Sequence, residues 1–292
     1  MKQFRIGIVG GENSHANEFS FAINMPDENG NYRYPDCRVT CIGGHYREAN
    51  EAVAREFKID NVFDNFEEMV PVVDAVIITA RDGKYHYEFA KPFIDAGIPA
   101  FIDKPFTVDS DEARSLIALA KEKRVPLCGG SVLKFTNGIL KLSKLVKETD
   151  EEIMGGALSA PVALNSEYSG FFFYASHLVE MTLATFGYNP KSISAKRHDK
   201  TVCATINYDN FSVTNHFKEG CGSYTAEVYT SKDTYFEKLD FAGAGEREWD
   251  VFVDMLRTGK MYNTYEELAI PVYYMEAIKR AYESGETVTI GF

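Results

Sequence analysis

The chain has 292 residues, 45% hydrophobic and 25% charged, which is the balance of an ordinary globular protein with room for one large or two medium domains. Its formal net charge of −12 argues against a nucleic-acid or anionic-membrane surface as the main partner, so a bound anion must be held by backbone N–H groups rather than by bulk charge. The five cysteines are odd in number and lack CxxC spacing, no signal peptide precedes the first strand, and no apolar run reaches the length of a membrane span; together these predict a cytoplasmic protein with reduced thiols.

In chain order, residues 4–9 predict a buried strand. Gly10 and Gly11 turn the chain, and Asn13 or Ser14 caps a helix running to residue 24. Residues 26–36 are polar and form a loop. A second strand (38–42) ends at Gly43-Gly44, and a helix over 47–57 places Ala49, Ala52, Val53 and Phe57 on one face. A short segment at 62–63, a helical turn at 67–69, a strong strand at 75–79, a helix over 85–96, a strand at 99–102, a helix to residue 123 and a last strand at 126–128 complete this half. Short apolar strands alternating with helices specify a parallel sheet covered on both faces, so residues 1–128 read as a Rossmann-type, doubly wound α/β domain.

The pattern then changes. Helices are expected over 134–147 and 174–186, with an extended strand over 156–168 between them. Strand-like stretches follow at 192–197, 202–208, 212–217, 223–230 and 234–239, separated by turns such as Asp209-Asn210. Helices over 246–257 and 266–284 close the chain. Consecutive strands without intervening helices give a mostly antiparallel open sheet, so residues 129–292 read as an α+β domain for substrate binding and oligomerisation.

A strand, a glycine turn and a helix can seat a pyrophosphate at the helix N-terminus. Counting from Gly10, however, Glu12 stands at the second glycine of G-x-G-x-x-G and His15 at the third. The second strand ends in Gly43-Gly44-His45-Tyr46-Arg47, with no acid for the adenosine ribose. An absent acid beside Arg47 suits a 2′-phosphate, and so NADP over NAD; it equally suits no dinucleotide. Asp103-Lys104-Pro105 lies just past a buried strand. The proline stops the strand and leaves Lys104 at its carboxyl end, where open α/β sheets bind ligands.

The run 75–79 with His86, Ala90, Ala96-Gly97 and Asp103-Lys104-Pro105 resembles the N-terminal half of the Gfo/Idh/MocA oxidoreductases, and a Rossmann half followed by an α+β half is similar to them over nearly the whole length. The resemblance implies hydride transfer between NAD or NADP and an alcohol carbon of a sugar or polyol-like substrate. It also implies a homodimer or homotetramer formed through the C-terminal sheet. It assigns Lys104 to contact with substrate and nicotinamide ribose and His177 to acid/base work. Around the cofactor it implies Gly10, Gly11, Asn13, Ser14, His15, His45, Arg47, Thr79, Ala80, His86, Asp103 and Lys104. The chain departs from the family at several points: Asp103 replaces Glu, Arg81-Asp82 lengthens the loop after Thr79, Phe173 stands where an acid precedes the histidine by four residues, and Glu180 follows three residues on.

Each candidate also has a plainer reading. Lys104 can simply pair with Asp103, His177 can be a satisfied core histidine, and His86 can brace a loop. Tyr168, Phe171, Phe172 and Tyr174 form either a substrate wall or an apolar cluster. His198 and His216 sit on predicted strands and receive no role. No His/Asp/Glu/Cys set has metal-ligand spacing. A non-catalytic ligand-binding or sensor protein, and a redox-neutral lyase or hydrolase with retained NAD, stand as alternative functions.

Overall fold

In the computed structural model, which describes residues 3–291, the carboxyl ends of the six short strands of the first sheet define where chemistry can occur. The chain divides into two compact units. The first comprises residues 1–107, 111–129 and 248–268; the second comprises 108–110, 130–247 and 269–292.

The first unit is built on β1 (Phe4–Val9), α1 (Ser14–Asn24), β2 (Cys37–Gly43), α2 (Arg47–Phe57), β3 (Asn61–Val62), β4 (Ala75–Ile78), α3 (His86–Asp95), β5 (Ala100–Asp103), α4 (Ser110–Lys123) and β6 (Leu127–Gly130). The strand order is β3-β2-β1-β4-β5-β6, and β1 pairs in parallel with both β2 and β4. The reversal of order at β1 leaves a crevice beyond its carboxyl end. Strands buried on both faces, such as β4 and β5, carry apolar runs instead of alternation because helices cover each side.

Residues 248–268, which follow the second sheet in sequence, pack into this first unit. Phe252 meets Phe19 and Phe101, each at 6.1 Å between ring centroids, while Phe19 and Phe101 lie 4.7 Å apart. Tyr34 donates to Asp250 at 2.7 Å, and the Arg257 guanidinium donates to both Asp36 carboxylate oxygens, at 2.8 and 2.6 Å.

The second unit contains α5 (Asn137–Glu148), β7 (Ile153–Pro161), α6 (Phe172–Phe186), β8 (Ser192–Arg197), β9 (Thr201–Asn207), β10 (Ser212–Lys218), β11 (Thr225–Thr230) and β12 (Thr234–Lys238). After α7 (Ala244–Thr258) and α8 (Tyr265–Ser284), β13 (Val288–Thr289) returns to the edge of its sheet. The order is β12-β11-β7-β10-β9-β8-β13, antiparallel except where β7 and β10 run in parallel. Leu158, Val202, Ile206, Val213, Phe217 and Val228 point to one face and join α5, α6 and α8 in a core. The alternate residues, including Ser159, Cys203, Thr205 and His216, line the other face and stay partly exposed.

Three expectations change. The strand expected over 156–168 ends at Pro161, because proline has no N–H to donate to the ladder, and turns follow up to the left-handed Ser169 and Gly170. The helix expected over 134–147 divides at Thr136 into a 3-10 turn (Val132–Phe135) and α5. The sequence reading missed β13, whose two residues are too few to show alternation.

Candidate active site

In the first unit the site grows from Gly10. Its φ of +110° lies in the region that favours glycine, and a Cβ there would meet the Ala80 amide nitrogen at 2.3 Å. Gly10 N–H donates to Gly43 O (3.0 Å), Thr79 N–H to Val9 O (2.9 Å), and the Thr79 hydroxyl to Gly10 O (2.9 Å). The turn after β1 is thereby tied to the ends of β2 and β4. Asn50, a buried polar residue on α2, adds a second tie: its side-chain oxygen accepts Gly11 N–H at 3.0 Å and its amide donates to Gly44 O at 3.2 Å.

Asn13 is the N-cap of α1, accepting His15 N–H at 3.4 Å. Its side-chain amide also donates to Asp103 at 3.2 Å, and His15 Nδ1 lies 2.8 Å from the same carboxylate oxygen. The other Asp103 oxygen accepts Lys104 N–H at 2.7 Å. Attraction to Asp103 outweighs burial and raises the His15 imidazole to about 9. Burial alone would raise the Asp103 carboxyl, but the His15 charge and hydrogen bond, with Lys104 and His86, hold it at about 2. Lys104 is itself buried at the strand end. The residue aligned with the third glycine of the fingerprint thus supplies a cation that fixes the carboxylate beside Lys104.

The remaining candidates separate. Glu12 turns toward the loop after β4: its carboxylate accepts Arg81 N–H at 3.0 Å, the Arg81 guanidinium donates to Glu12 O, and the Glu12 Oε2 atom is buried without a hydrogen bond. Ser14 is exposed, and its hydroxyl donates to the Asn13 side-chain oxygen at 3.5 Å. Ala80 and His86 act as a brace, with His86 Nε2 2.8 Å from Ala80 O and Nδ1 2.6 Å from Pro105 O. His45 packs edge-on against Tyr85 and Phe89, 3.5 Å from Glu88. Arg47, read above as a phosphate contact, already pairs with Glu51 at 2.7 Å and with Asp64.

The second unit holds a buried polar network. His177 Nδ1 on α6 lies 2.7 Å from Ser131 Oγ. One Glu180 oxygen accepts Ser131 N–H at 2.8 Å and the other accepts Lys134 Nζ at 2.9 Å. Gly130 has φ +90°, and a Cβ on it would fall 2.3 Å from Glu180, so glycine admits the carboxylate beneath the turn. The expected aromatic wall divides: Phe171 and Phe172 are core residues, Phe171 against Phe217 at 5.1 Å, whereas Phe173 packs against Tyr168 at 5.1 Å and edge-on to Tyr174 at 5.0 Å. Sequence reasoning missed Asn50, Ser131 and Lys134. Asn50 had a signal, being a polar residue beside the apolar stripe of α2; Ser131 and Lys134 had none, since their partner is 46 or more residues away. Among the described residues no group of three or more His, Cys, Asp or Glu side chains is placed to hold a metal ion.

Residues 4–130 match the model of an oxidoreductase family with an NAD-binding Rossmann fold, the Gfo/Idh/MocA family. A scyllo-inositol 2-dehydrogenase (NADP(+)) of Bacillus subtilis is 29% identical over 162 residues, which is 50% of this chain and 44% of that protein. A UDP-N-acetylglucosamine 3-dehydrogenase of Acidithiobacillus ferrooxidans is 34% identical over 80 residues, 27% of this chain and 25% of that one. The chain thus matches less than half the length of either relative. The crystal structure of scyllo-inositol dehydrogenase from Lactobacillus casei with NAD(H) and scyllo-inositol superposes with a TM-score of 0.84 at 15% identity, over 99% of each chain. That of GenD2 from gentamicin A biosynthesis, in complex with NAD, gives 0.86 at 15% identity over 100% of this chain and 97% of that one. Residues 4–130 are thus similar to the NAD-binding Rossmann fold of the Gfo/Idh/MocA oxidoreductases.

Proposed function

We propose that this protein is an NAD(P)-dependent dehydrogenase that moves a hydride between nicotinamide and an alcohol carbon of a sugar or polyol-like substrate. The observation that carries the proposal is Lys104, buried at the carboxyl end of β5 beside a carboxylate that its own backbone N–H and His15 hold in place. The named relatives act on an inositol and a nucleotide sugar, which supports a polyol-like substrate.

The Gly10 turn, which a Cβ would obstruct, and the start of α1 suit a dinucleotide pyrophosphate, with Gly10, Gly11, Asn13, Ser14 and His15 around it. His45 and Arg47 stand where the adenosine ribose would lie. Thr79, Ala80, His86, Asp103 and Lys104 stand on the nicotinamide side. The missing acid after β2 and the NADP-linked relative support NADP over NAD, and Arg47 would exchange a carboxylate for a phosphate. When bound, the nicotinamide supplies the hydride acceptor or donor. Lys104 orients and polarises the substrate hydroxyl, and His177 takes or returns the proton in the second unit.

Titration calorimetry with NADP, NAD and NADH, followed by absorbance at 340 nm across inositols and other polyols, tests the reading. Binding of one dinucleotide and turnover that Lys104→Ala lowers by about 10²-fold or more are expected. Failure of every dinucleotide to bind at millimolar concentration overturns the proposal. That result would favour a sensor, the reading that the Glu12 carboxylate in the glycine turn supports. Retained cofactor without net absorbance change would favour redox-neutral chemistry.

We propose further that the open face of the second sheet joins copies of the chain into a homodimer or homotetramer in the cytoplasm. Its partly exposed Ser159, Thr205 and Cys203 with exposed His216 and Phe236 make it a mixed polar and apolar surface. Light scattering of wild type and of Thr205→Arg distinguishes an assembly through this face from a monomer.

A further inference from the structure

His177 is an acid/base candidate whose Nδ1 faces an alcohol. The position four residues before it, Phe173, packs against Tyr168 and Tyr174 and offers no acid. What approaches Nδ1 instead is Ser131 Oγ, at 2.7 Å, with both residues buried.

Ser131 is fixed from several sides. Its hydroxyl oxygen accepts Leu133 N–H at 3.1 Å, as the cap of the turn Val132–Phe135. Its backbone N–H is bound by Glu180, whose second oxygen is neutralised by Lys134, and both of those side chains are only 4% exposed. Tyr174 and Tyr224 stand edge-on to the imidazole, at 5.6 and 6.5 Å between centroids.

A hydroxyl carries one proton and two lone pairs. Leu133 N–H occupies one lone pair, which leaves a proton and a lone pair for Nδ1. The hydroxyl can therefore donate to a bare Nδ1 or, after rotating, accept from a protonated one. A carboxylate partner only accepts, and so pins the proton on Nδ1. An unpaired buried nitrogen costs about 1–3 kcal/mol, and this two-way partner removes that cost from both protonation states.

We infer that Ser131 is the positioning residue of His177: its hydroxyl holds the ring plane and keeps Nδ1 hydrogen-bonded whether the imidazole has taken or returned a proton, while the Glu180–Lys134 pair and Gly130 hold Ser131 in place. The role in turnover rests on the dehydrogenase reading; the hydrogen bond does not.

The test uses the full-length ¹⁵N-labelled protein, with His177→Gln to assign the ring signals. In the parent, a slowly exchanging Ser131 hydroxyl proton with a cross-peak to the His177 ring is expected. In Ser131→Ala the imidazole nitrogen signals move. There kcat falls by about 10²-fold while substrate KM and dinucleotide Kd stay within about twofold, as for a misplaced catalytic group. Ser131→Thr, which keeps the hydroxyl, restores kcat to within about fivefold. Absence of the hydroxyl proton in the parent overturns the inference even if Ser131→Ala does not fold. Unchanged ring signals, or kcat within about twofold of the parent, overturn it as well. If the parent itself has no turnover, the dehydrogenase reading fails while the ring spectrum still decides the hydrogen bond.

Discussion

Replacing Asp103 with Asn isolates the electrostatics at the head of β5. The fully buried carboxylate pairs with His15 and accepts from Asn13 and the Lys104 backbone; an amide oxygen of nearly the same shape keeps the last of these but loses the ion pair. Raising the His15 imidazole from 6.5 to about 9 corresponds to about 3 kcal/mol, and the same attraction seen from Asp103, lowered from 3.8 to about 2, to about 2 kcal/mol. These are two views of one interaction and do not add, so the pair is expected to contribute about 2–3 kcal/mol. Because the folded His15 is raised, its contribution is complete below pH 6.5 and is lost as pH climbs through about 9; because Asp103 is depressed, its share is present above pH 3.8 and is lost only as pH falls through about 2. Urea unfolding of wild type, Asp103→Asn, His15→Gln and the double variant at pH 6 and pH 10 forms a double-mutant cycle. A coupling of about 2–3 kcal/mol at pH 6 that shrinks toward zero at pH 10 is expected. A coupling below about 0.5 kcal/mol at pH 6, or one indifferent to pH, refutes the reasoning.

Three further outcomes follow from the same geometry. Gly10→Ala places a methyl 2.3 Å from the Ala80 nitrogen and forces a left-handed residue to carry a side chain, so soluble yield or thermal midpoint drops sharply and dinucleotide binding is lost; a variant with unchanged melting and affinity contradicts the turn described. Glu12→Gln removes a negative charge from the turn while keeping an oxygen for Arg81 N–H, so calorimetry should record dinucleotide binding about fivefold tighter, and weaker binding would mean the carboxylate helps to shape the site. The Cys221 thiol, lowered to about 7 by hydrogen bonds from Ser223, should be alkylated by iodoacetamide at pH 7.5 well before Cys37 and Cys41, which burial pushes up to about 12 and about 11; peptide mass spectrometry reads the order directly.

The elements of the first unit are legible because each signal is local. An apolar run bounded by glycine or proline gives a strand, and Asn13 caps α1 within two residues of itself. What joins those elements is not local. Asp103 and His15 meet from positions 88 residues apart in number, and nothing in either neighbourhood announces the other. His177 is legible on α6 from its motif, but Ser131 is an unremarked serine until the fold brings it to the ring. Composition likewise suggests that Tyr168 to Tyr174 act as one aromatic patch. The start of α6 divides them, because helical rotation turns Phe171 and Phe172 into the core and leaves Phe173 and Tyr174 outside it. Antiparallel pairing is read correctly for most of the second sheet, and the parallel contact of β7 with β10 is invisible because the strands between them in the chain lie elsewhere in the order.

The segment carrying Phe252 sets an order of events during synthesis. Residues 1–129 leave the ribosome with Phe19 and Phe101 lacking the ring that covers them, and that ring is made only after more than a hundred intervening residues have been translated. Domains generally fold as units during synthesis. Here the nascent first unit must wait with an open aromatic face while the whole second sheet is produced. A fragment cut after residue 129 would preserve that waiting state permanently, with an apolar face suited to chaperones, so the first unit produced alone should be judged with 248–268 supplied in trans or grafted back.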